Sequence, residues 1–117
     1  MRITRRHSMT RSAEFARVRS EGTSKGGRYL VLATLEDEAV ESLKWAFVTS
    51  RRVGNAVTRN LVRRRLRGIL SKHGDRLKSG RYVVMIARYR AKEASFEQLE
   101  EDWLKLAGRL GILEDDA

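Results

Sequence analysis

Seven arginines and no acidic residue occupy the eighteen positions from Arg51 to Gly68, RRVGNAVTRNLVRRRLRG. No Asp or Glu stands anywhere between Glu41 and Asp75. Crowded like charges repel one another, so an uncompensated basic block marks a surface made for an anionic partner. A guanidinium presents planar paired donors that match phosphate oxygens, and its flat face stacks on bases. The chemistry on offer is electrostatic recognition rather than bond making. At about 100° per residue, a helix from Ala56 to His73 sets Arg59, Arg63 and Arg67 in one row, with Asn60 and Arg64 in a second row beside it. Val57, Leu61, Val62, Leu66, Ile69 and Leu70 fall mainly on the other side, toward a core. Arg65 breaks that division; its stem can follow the apolar edge while its guanidinium reaches water. Asn60 adds a donor and an acceptor suited to a base edge or a ribose hydroxyl. A merely solvated helix face would carry compensating glutamates at four-residue spacing, and this one carries none. Gly54 allows a tight turn or a close approach of backbone to a ligand. Asn55 is a suitable helix cap, and the N–H groups behind it favour a phosphate.

The elements that must hold this block fit in one domain of 117 residues. A chain of this length buries roughly two-thirds of its unfolded surface, enough for a core without staples. There is no cysteine, which removes disulfides and zinc–thiolate sites. No apolar run approaches a membrane span. The opening MRITRRHSMTRS has charges with no apolar stretch behind them and does not read as a secretory signal, so the expected compartment is the cytoplasm. The net charge is +10, and it is unevenly placed. Residues 1–92 hold 23 basic and 7 acidic side chains, whereas residues 93–117 hold 2 and 8. A basic body with an acidic end suits nucleic acid better than a lipid surface, because the apolar face of the basic helix is needed inside.

Residues 1–10 are basic and unpatterned and read as a flexible arm. Ser12 can cap a short helix from Ala13 to Glu21, with Phe15 and Val18 inward, bordered by Arg11, Arg17 and Arg19, and with Gly22 ending it in a left-handed turn. Thr23 to Gly27 reads as a loop. Tyr29 to Leu35 is a strand, Glu36 to Ser42 a hairpin loop, and Trp45 to Ser50 the returning antiparallel strand. After the basic helix, Gly74 and Gly80 bracket a polar loop and Tyr82 to Ala87 forms another strand, with Arg88 and Arg90 at its exit. Ser95 and Gln98 have capping-box spacing. Phe96, Leu99, Trp103, Leu106 and Leu110 then recur at three and four residues, giving a core-packing helix over residues 95–111, with Trp103 as a core anchor and Glu97, Glu100, Glu101 and Asp102 on its outer face. The expected fold is a small two-layer α+β sandwich, with helices on one sheet face and the other partly open. The basic helix bridges two strands that are candidates for a parallel pair, and such crossovers are right-handed by default.

Nothing in the chain assembles a protein active site. Only His7 and His73 are present, one in the arm and one beside a turn. The carboxylates cluster in a loop and on the last helix, away from the basic block. There is no Walker loop, no zinc ligand set and no nucleophile–base pair, so no catalytic and no metal-ligating residue is assigned.

The central stretch closely resembles the bacterial ribonuclease P protein component. The residues that carry the resemblance are Arg51, Arg52, Gly54, Asn55, Ala56, Val57, Arg59, Asn60, Arg63, Arg64 and Arg67. Glu14-Phe15 with Val18 and Gly22 resembles that family's first helix, and Ile86-Ala87-Arg88 its last strand. The likeness runs in order over nearly the whole chain. It departs at Leu61, where a third basic residue is usual, at Gly68, where an acidic residue is common, and at Arg19 and Ala33, where aromatic residues often line the substrate cleft. The resemblance implies a ribosomal-protein-like fold with a left-handed crossover through the basic helix, against the default. It implies a protein subunit of an RNA enzyme that removes 5′ leaders from precursor tRNA, with magnesium held mainly by the catalytic RNA partner and no obligate protein partner evident. The basic helix would pack on that RNA. A cleft between the first helix and the sheet would hold the single-stranded leader near Phe15 and Tyr29, with Arg11, Arg17 and Arg88 close by.

Composition by itself also allows a non-catalytic RNA-binding module of ribosomal-protein type, a DNA-binding protein with the basic helix in a major groove, or a free-standing nuclease. The second predicts sequence-preferring duplex binding and usually a dimer, and the third cleavage by the protein alone in magnesium.

Overall fold

The computed structural model describes Ile3, Ser8, Met9 and residues 11–114. In order it contains α1 (Ser12–Glu21), β1 (Thr23–Gly26), β2 (Leu30–Glu36), β3 (Leu43–Val48), α2 (Ala56–His73), β4 (Arg81–Ala87) and α3 (Phe96–Leu110), with short 3-10 turns at Gly74–Arg76 and Tyr89–Glu93. Four strands make one sheet in the order β1-β2-β4-β3. β4 runs antiparallel to β2, with Ala33 opposite Val84, and parallel to β3, with Ala46 opposite Val84.

The expected β2–β3 hairpin does not form, because β4 lies between those strands. The reason is visible in β4 itself: YVVMIA is apolar on both faces, as a central strand covered on both sides must be. The acidic loop 37–42 instead crosses the start of β4. Asp37 N donates to Gly80 O at 2.9 Å, and Gly80 N donates to Ser42 O at 2.6 Å. The parallel pair joined by α2 is β3–β4.

Strand alternation divides the interior in two. Leu30, Leu32, Leu43, Trp45, Val83 and Met85 face Val62, Leu66, Ile69 and Leu70 of α2 and Leu99, Trp103 and Leu106 of α3. Ala33, Ala46, Tyr82 and Val84 face Val18 of α1, with Met9 beside them. Thus α1 lies on the opposite sheet face from the other two helices, not on one face with them as expected. Thr23 to Gly26, expected as loop, is an edge strand on β2. The arm is not wholly free: Met9 is buried, its N–H donates to Trp45 O at 2.9 Å, and Ser8 bridges to Trp45. Ile3 packs against the core on the α2–α3 side. The rest of residues 1–10 lies outside the described residues.

Local signals behave as their chemistry dictates, with two exceptions. Ser95 Oγ accepts from Gln98 N at 3.1 Å and Gln98 Oε1 accepts from Ser95 N at 2.9 Å, closing the capping box of α3. Gly111 ends that helix at φ +69°. Helix α1 begins one residue early, at Ser12, and Glu14 rather than Ser12 completes its start by accepting from Arg11 N at 3.2 Å. Gly22 is extended (φ −83°, ψ −177°), not left-handed. A Cβ there would strike the carbonyl oxygens of Thr34 and Val18, so glycine is required by close backbone approach.

Asp102 is the largest departure on α3. It is not on the outer face but buried, and its carboxylate accepts from three successive N–H groups at the start of β2: Arg28 at 3.1 Å, Tyr29 at 2.9 Å and Leu30 at 3.0 Å. A Cβ on Gly27 would collide with that carboxylate, which fixes glycine in the β1–β2 turn. A buried charge is tolerable only when donors surround it. Asp102→Asn keeps the shape but turns an amide NH₂ toward an N–H donor. It is expected to cost about 2–4 kcal/mol in urea unfolding, and a midpoint within error of the parent would show that the three bonds contribute little.

Candidate nucleic-acid interface

The basic face is built from the end of β3 onward. Val53 is fully buried and pins the turn that follows, closed by Val53 N to Ser50 O at 3.0 Å and Gly54 N to Arg51 O at 3.2 Å. With Val53 inward, Arg51 and Arg52 are exposed. Gly54 adopts φ +150°, and a Cβ there would meet the Thr58 side chain at 2.9 Å. Asn55 then caps α2, its Oδ1 accepting from Thr58 N at 2.9 Å. Val62, Leu66, Ile69 and Leu70 bury the inner stripe. The opposite side presents Asn60, Arg63, Arg64 and Arg67 to solvent, with Arg59 half-buried.

Among the described residues, no carboxylate pairs with Arg51, Arg52, Arg59, Arg63, Arg64 or Arg67. The ion pairs of α2 are confined to its last turn, where Glu100 takes Lys72 Nζ and His73 Nε2, each at 2.8 Å. Those two groups, Lys72 first, hold the Glu100 carboxyl below its ordinary range. Arg59 Nε is buried without a hydrogen-bond partner among the described residues. The Arg67 guanidinium lies 5.9 Å from the Trp45 ring centroid, a cation–π distance that orients it without neutralising it.

Two side chains of α2 differ from expectation. Val57 is 78% exposed rather than part of the core, because at about 100° per residue it stands nearly opposite buried Leu66; Leu61, one turn on, is only half-buried. The Arg65 side chain is half-buried, and its guanidinium donates from Nη1 to Ala94 O at 2.6 Å. It thereby ties α2 to the segment before α3.

A second feature lies on the other sheet face. A groove of about 430 Å³ runs between α1 and the strands, lined by Phe15, Val18, Arg19, Gly22, Ser24, Val31, Ala33, Val48, Val84 and Ile86. Strand register explains its shape. Val31, Ile86 and Val48 form one row across three strands, and Ala33, Val84 and Ala46 the next; of the second row Ala33 and Val84 line the groove, and the small Ala33 lowers its floor. Of the residues expected around a cleft, only Phe15 lines it. Tyr29 packs in the core on the α2–α3 side, its ring 5.4 Å from the Arg28 guanidinium. Arg17 is engaged by Asp37 at 2.7 Å and Glu21 at 3.1 Å. Arg88 lies against Gly26 at the β1 edge, where a Cβ on the glycine would collide with its guanidinium. Arg11 is exposed at the start of α1. Arg19 and Ala33, noted in the sequence only as departures, are both in the groove wall. Val31, Val48 and Ile86 were missed, although their place on the strand face opposite Leu30, Leu32 and Met85 was the available signal.

Helix α1 buries Val18 and packs Phe15 beside it, and ion pairs add to that hold on the groove wall. Lys44 Nζ meets Glu14 Oε2 at 3.1 Å, and Arg17 meets Asp37. Arg17 and then the Ala39 N–H hold the Asp37 carboxyl below its ordinary 3.8. A depressed carboxylate stabilises above its unfolded pKa, and that stabilisation is lost as pH falls through the folded value. Asp37→Asn, or acidification below about 3.8, is therefore expected to lower amide protection, taken relative to the intrinsic rate at the same pH, across Ser12–Glu21 while β4 stays protected. Unchanged protection in α1 would show that the pair does not hold the wall.

Among the described residues, no group of three or more His, Cys, Asp or Glu side chains is placed to hold a metal ion, and no helix is long and apolar enough to cross a membrane. A family model described as Ribonuclease P matches residues 3–111. The ribonuclease P protein component of Halalkalibacterium halodurans is 35% identical over 98 residues, 84% of this chain and 82% of that one. That of Syntrophomonas wolfei is 29% identical over 106 residues, 91% and 88% of the two chains. Among solved structures, the RNase P protein of Staphylococcus aureus superposes with a TM-score of 0.85 over 92% of this chain and 98% of its own at 22% identity. The Thermotoga maritima protein gives 0.74 over 82% and 90% at 25% identity.

Proposed function

This chain belongs to the ribonuclease P protein family, and from that premise we propose that it is the protein subunit of a ribonucleoprotein endoribonuclease that removes 5′ leaders from precursor tRNA. The observation that carries the mechanism is the uncompensated arginine face of α2. Arg59, Arg63, Arg64 and Arg67, with Arg51, Arg52, Gly54, Asn55 and Asn60 at its near end, dock on the catalytic RNA. Two polyanions must approach each other, and arginines between them reduce the repulsion. The reacting groups belong to the RNA. The exposed side of α2 supplies nitrogen donors and no carboxylate oxygens, so magnesium, a hard cation that takes oxygen ligands, is assigned to the RNA and not to this chain. The cytoplasm is the compartment in which such a subunit works.

The groove beside α1 takes the single-stranded leader. Its walls are apolar with one guanidinium, Arg19, and one aromatic ring, Phe15, a combination that stacks on unpaired bases without reading their sequence. Arg11 stands outside this groove near its α1 end, and Arg88 at the β1 edge; both serve as phosphate contacts along the approach. Tyr29 has a structural role. Arg17 acts by holding α1 through Asp37.

Reconstitution with the cognate ribonuclease P RNA on precursor tRNA at low magnesium tests the reading. Added protein is expected to stimulate 5′ maturation; no stimulation, with ribosomal RNA as the copurifying species, would assign a ribosomal-type binding module instead. With six or more phosphate contacts, affinity for the RNA should fall at least about a thousandfold between 50 and 200 mM salt. Arg59→Ala with Arg63→Ala is expected to abolish assembly with little change in Tm, whereas unfolding of that variant would make the two side chains structural.

A further inference from the structure

Among the described residues the exposed large apolar side chains are Val57, 78% exposed, and Tyr89, 58%. Tyr89 has partners of its own: its hydroxyl accepts from Arg90 Nε at 3.2 Å and the same guanidinium lies 5.8 Å from its ring centroid. Val57 has none. It stands on the first turn of α2, next to a depression of about 480 Å³ lined by Val57, Asn60, Leu61 and Arg64. These four positions follow the i, i+3, i+4, i+7 spacing of one helix face. An isolated surface valine needs no explanation. Here it continues into half-buried Leu61, so the two form an apolar floor, while Asn60 and Arg64 stand over it with free hydrogen-bonding groups.

We propose that this depression receives one unpaired base of the RNA subunit, with the base lying on Val57 and Leu61, the Arg64 guanidinium against it or its phosphate, and the Asn60 amide on its edge. The inference rests on the proposed docking of α2 to that RNA and adds a site that phosphate attraction alone does not require. Charge complementarity selects the occupant. The depression sits within an arginine field in which, among the described residues, no carboxylate pairs with Arg59, Arg63, Arg64 or Arg67, so an anionic chain is drawn to it. An extruded base presents both an apolar face and a polar edge, as the site demands. The amide of Asn60 supplies a donor and an acceptor in one plane, the match for such an edge.

The test separates an apolar contact from a charge contact by salt dependence. Binding of the cognate ribonuclease P RNA is measured across a salt series for the parent, Val57→Ala, Arg64→Ala and the Arg59→Ala/Arg63→Ala pair. Val57→Ala leaves folding intact because the side chain is exposed. It is expected to weaken binding about tenfold from the lost apolar contact, with the slope of log affinity against log salt unchanged. Arg64→Ala should weaken binding and flatten that slope by about one. Chemical probing of the RNA should show one nucleotide whose protection is lost with Val57→Ala and kept in the parent complex. Parent-like affinity of Val57→Ala at every salt concentration, alongside failure of the double arginine variant, overturns the base site and leaves the docking of α2 standing. Failure of neither variant overturns both. Parent-like RNA affinity of Val57→Ala with loss of a copurifying polypeptide identifies a protein partner there and overturns the proposal.

Discussion

The inner stripe of α2 decides where the positive charge of this molecule goes. Val62, Leu66, Ile69 and Leu70 are buried against the sheet, and burying four such side chains contributes on the order of 6–12 kcal/mol before entropy is counted. Rotating the helix to neutralise its arginines would expose that stripe. The helix therefore keeps one azimuth, and every residue on its far side is held outward whatever its charge. The exposed arginine face does not have to stabilise the fold. It needs only to be tolerated, and solvent at high dielectric tolerates it.

The acids complete the arrangement by being occupied elsewhere. Glu14 takes Lys44, Asp37 takes Arg17, Glu100 takes Lys72 and His73, and Asp102 takes three backbone N–H groups of the β2 start. Each of these pairings fastens one element to another: α1 to β3, α1 to the 37–42 loop, α3 to α2, and α3 to β2. Of the carboxylates in the loop and on the last helix, Asp37, Glu100 and Asp102 thus serve as internal ties, and none of the three reaches the middle of α2. Net charge is only a composition; here its positive part is gathered on one helix face, and the acids that do form ties form them elsewhere.

Much of this was legible in the chain. The span of α2, its cap at Asn55, the capping box at Ser95 and Gln98, the stop at Gly111 and the inward Trp103 all follow from short-range spacing, and short-range spacing survives folding. What failed were judgements that needed partners distant in sequence. β4 could be recognised as a strand, but its place between β2 and β3 depends on both of its faces being covered. Asp102 was read by its charge, although it lies three residues after Leu99 and four before Leu106, on the apolar stripe itself; the helical period outranked residue type. Val57 was read by its apolar type, although at about 100° per residue it stands nearly opposite Leu66, on the face of Asn60 and Arg64. Tyr29 was assigned to the cleft from resemblance, but it stands one residue ahead of β2, outside the alternation of the strand, and its ring joins the core on the α2–α3 side. A groove does lie between α1 and the sheet, but of the five side chains that the resemblance implied for a cleft only Phe15 lines it.

The two binding features lie on opposite faces of one sheet, yet the chain joins them in a few residues. Val48 closes β3 and lines the groove; Arg51 begins the basic turn three residues later, a path of about 10 Å in extended chain. On the proposed function, a strand laid along the groove toward Val48 would leave it at Arg51 and Arg52, where the field of α2 begins, so that substrate and RNA subunit would approach each other at the end of β3 rather than across the body of the protein. Val53, fully buried, fixes the turn that holds both arginines outward there.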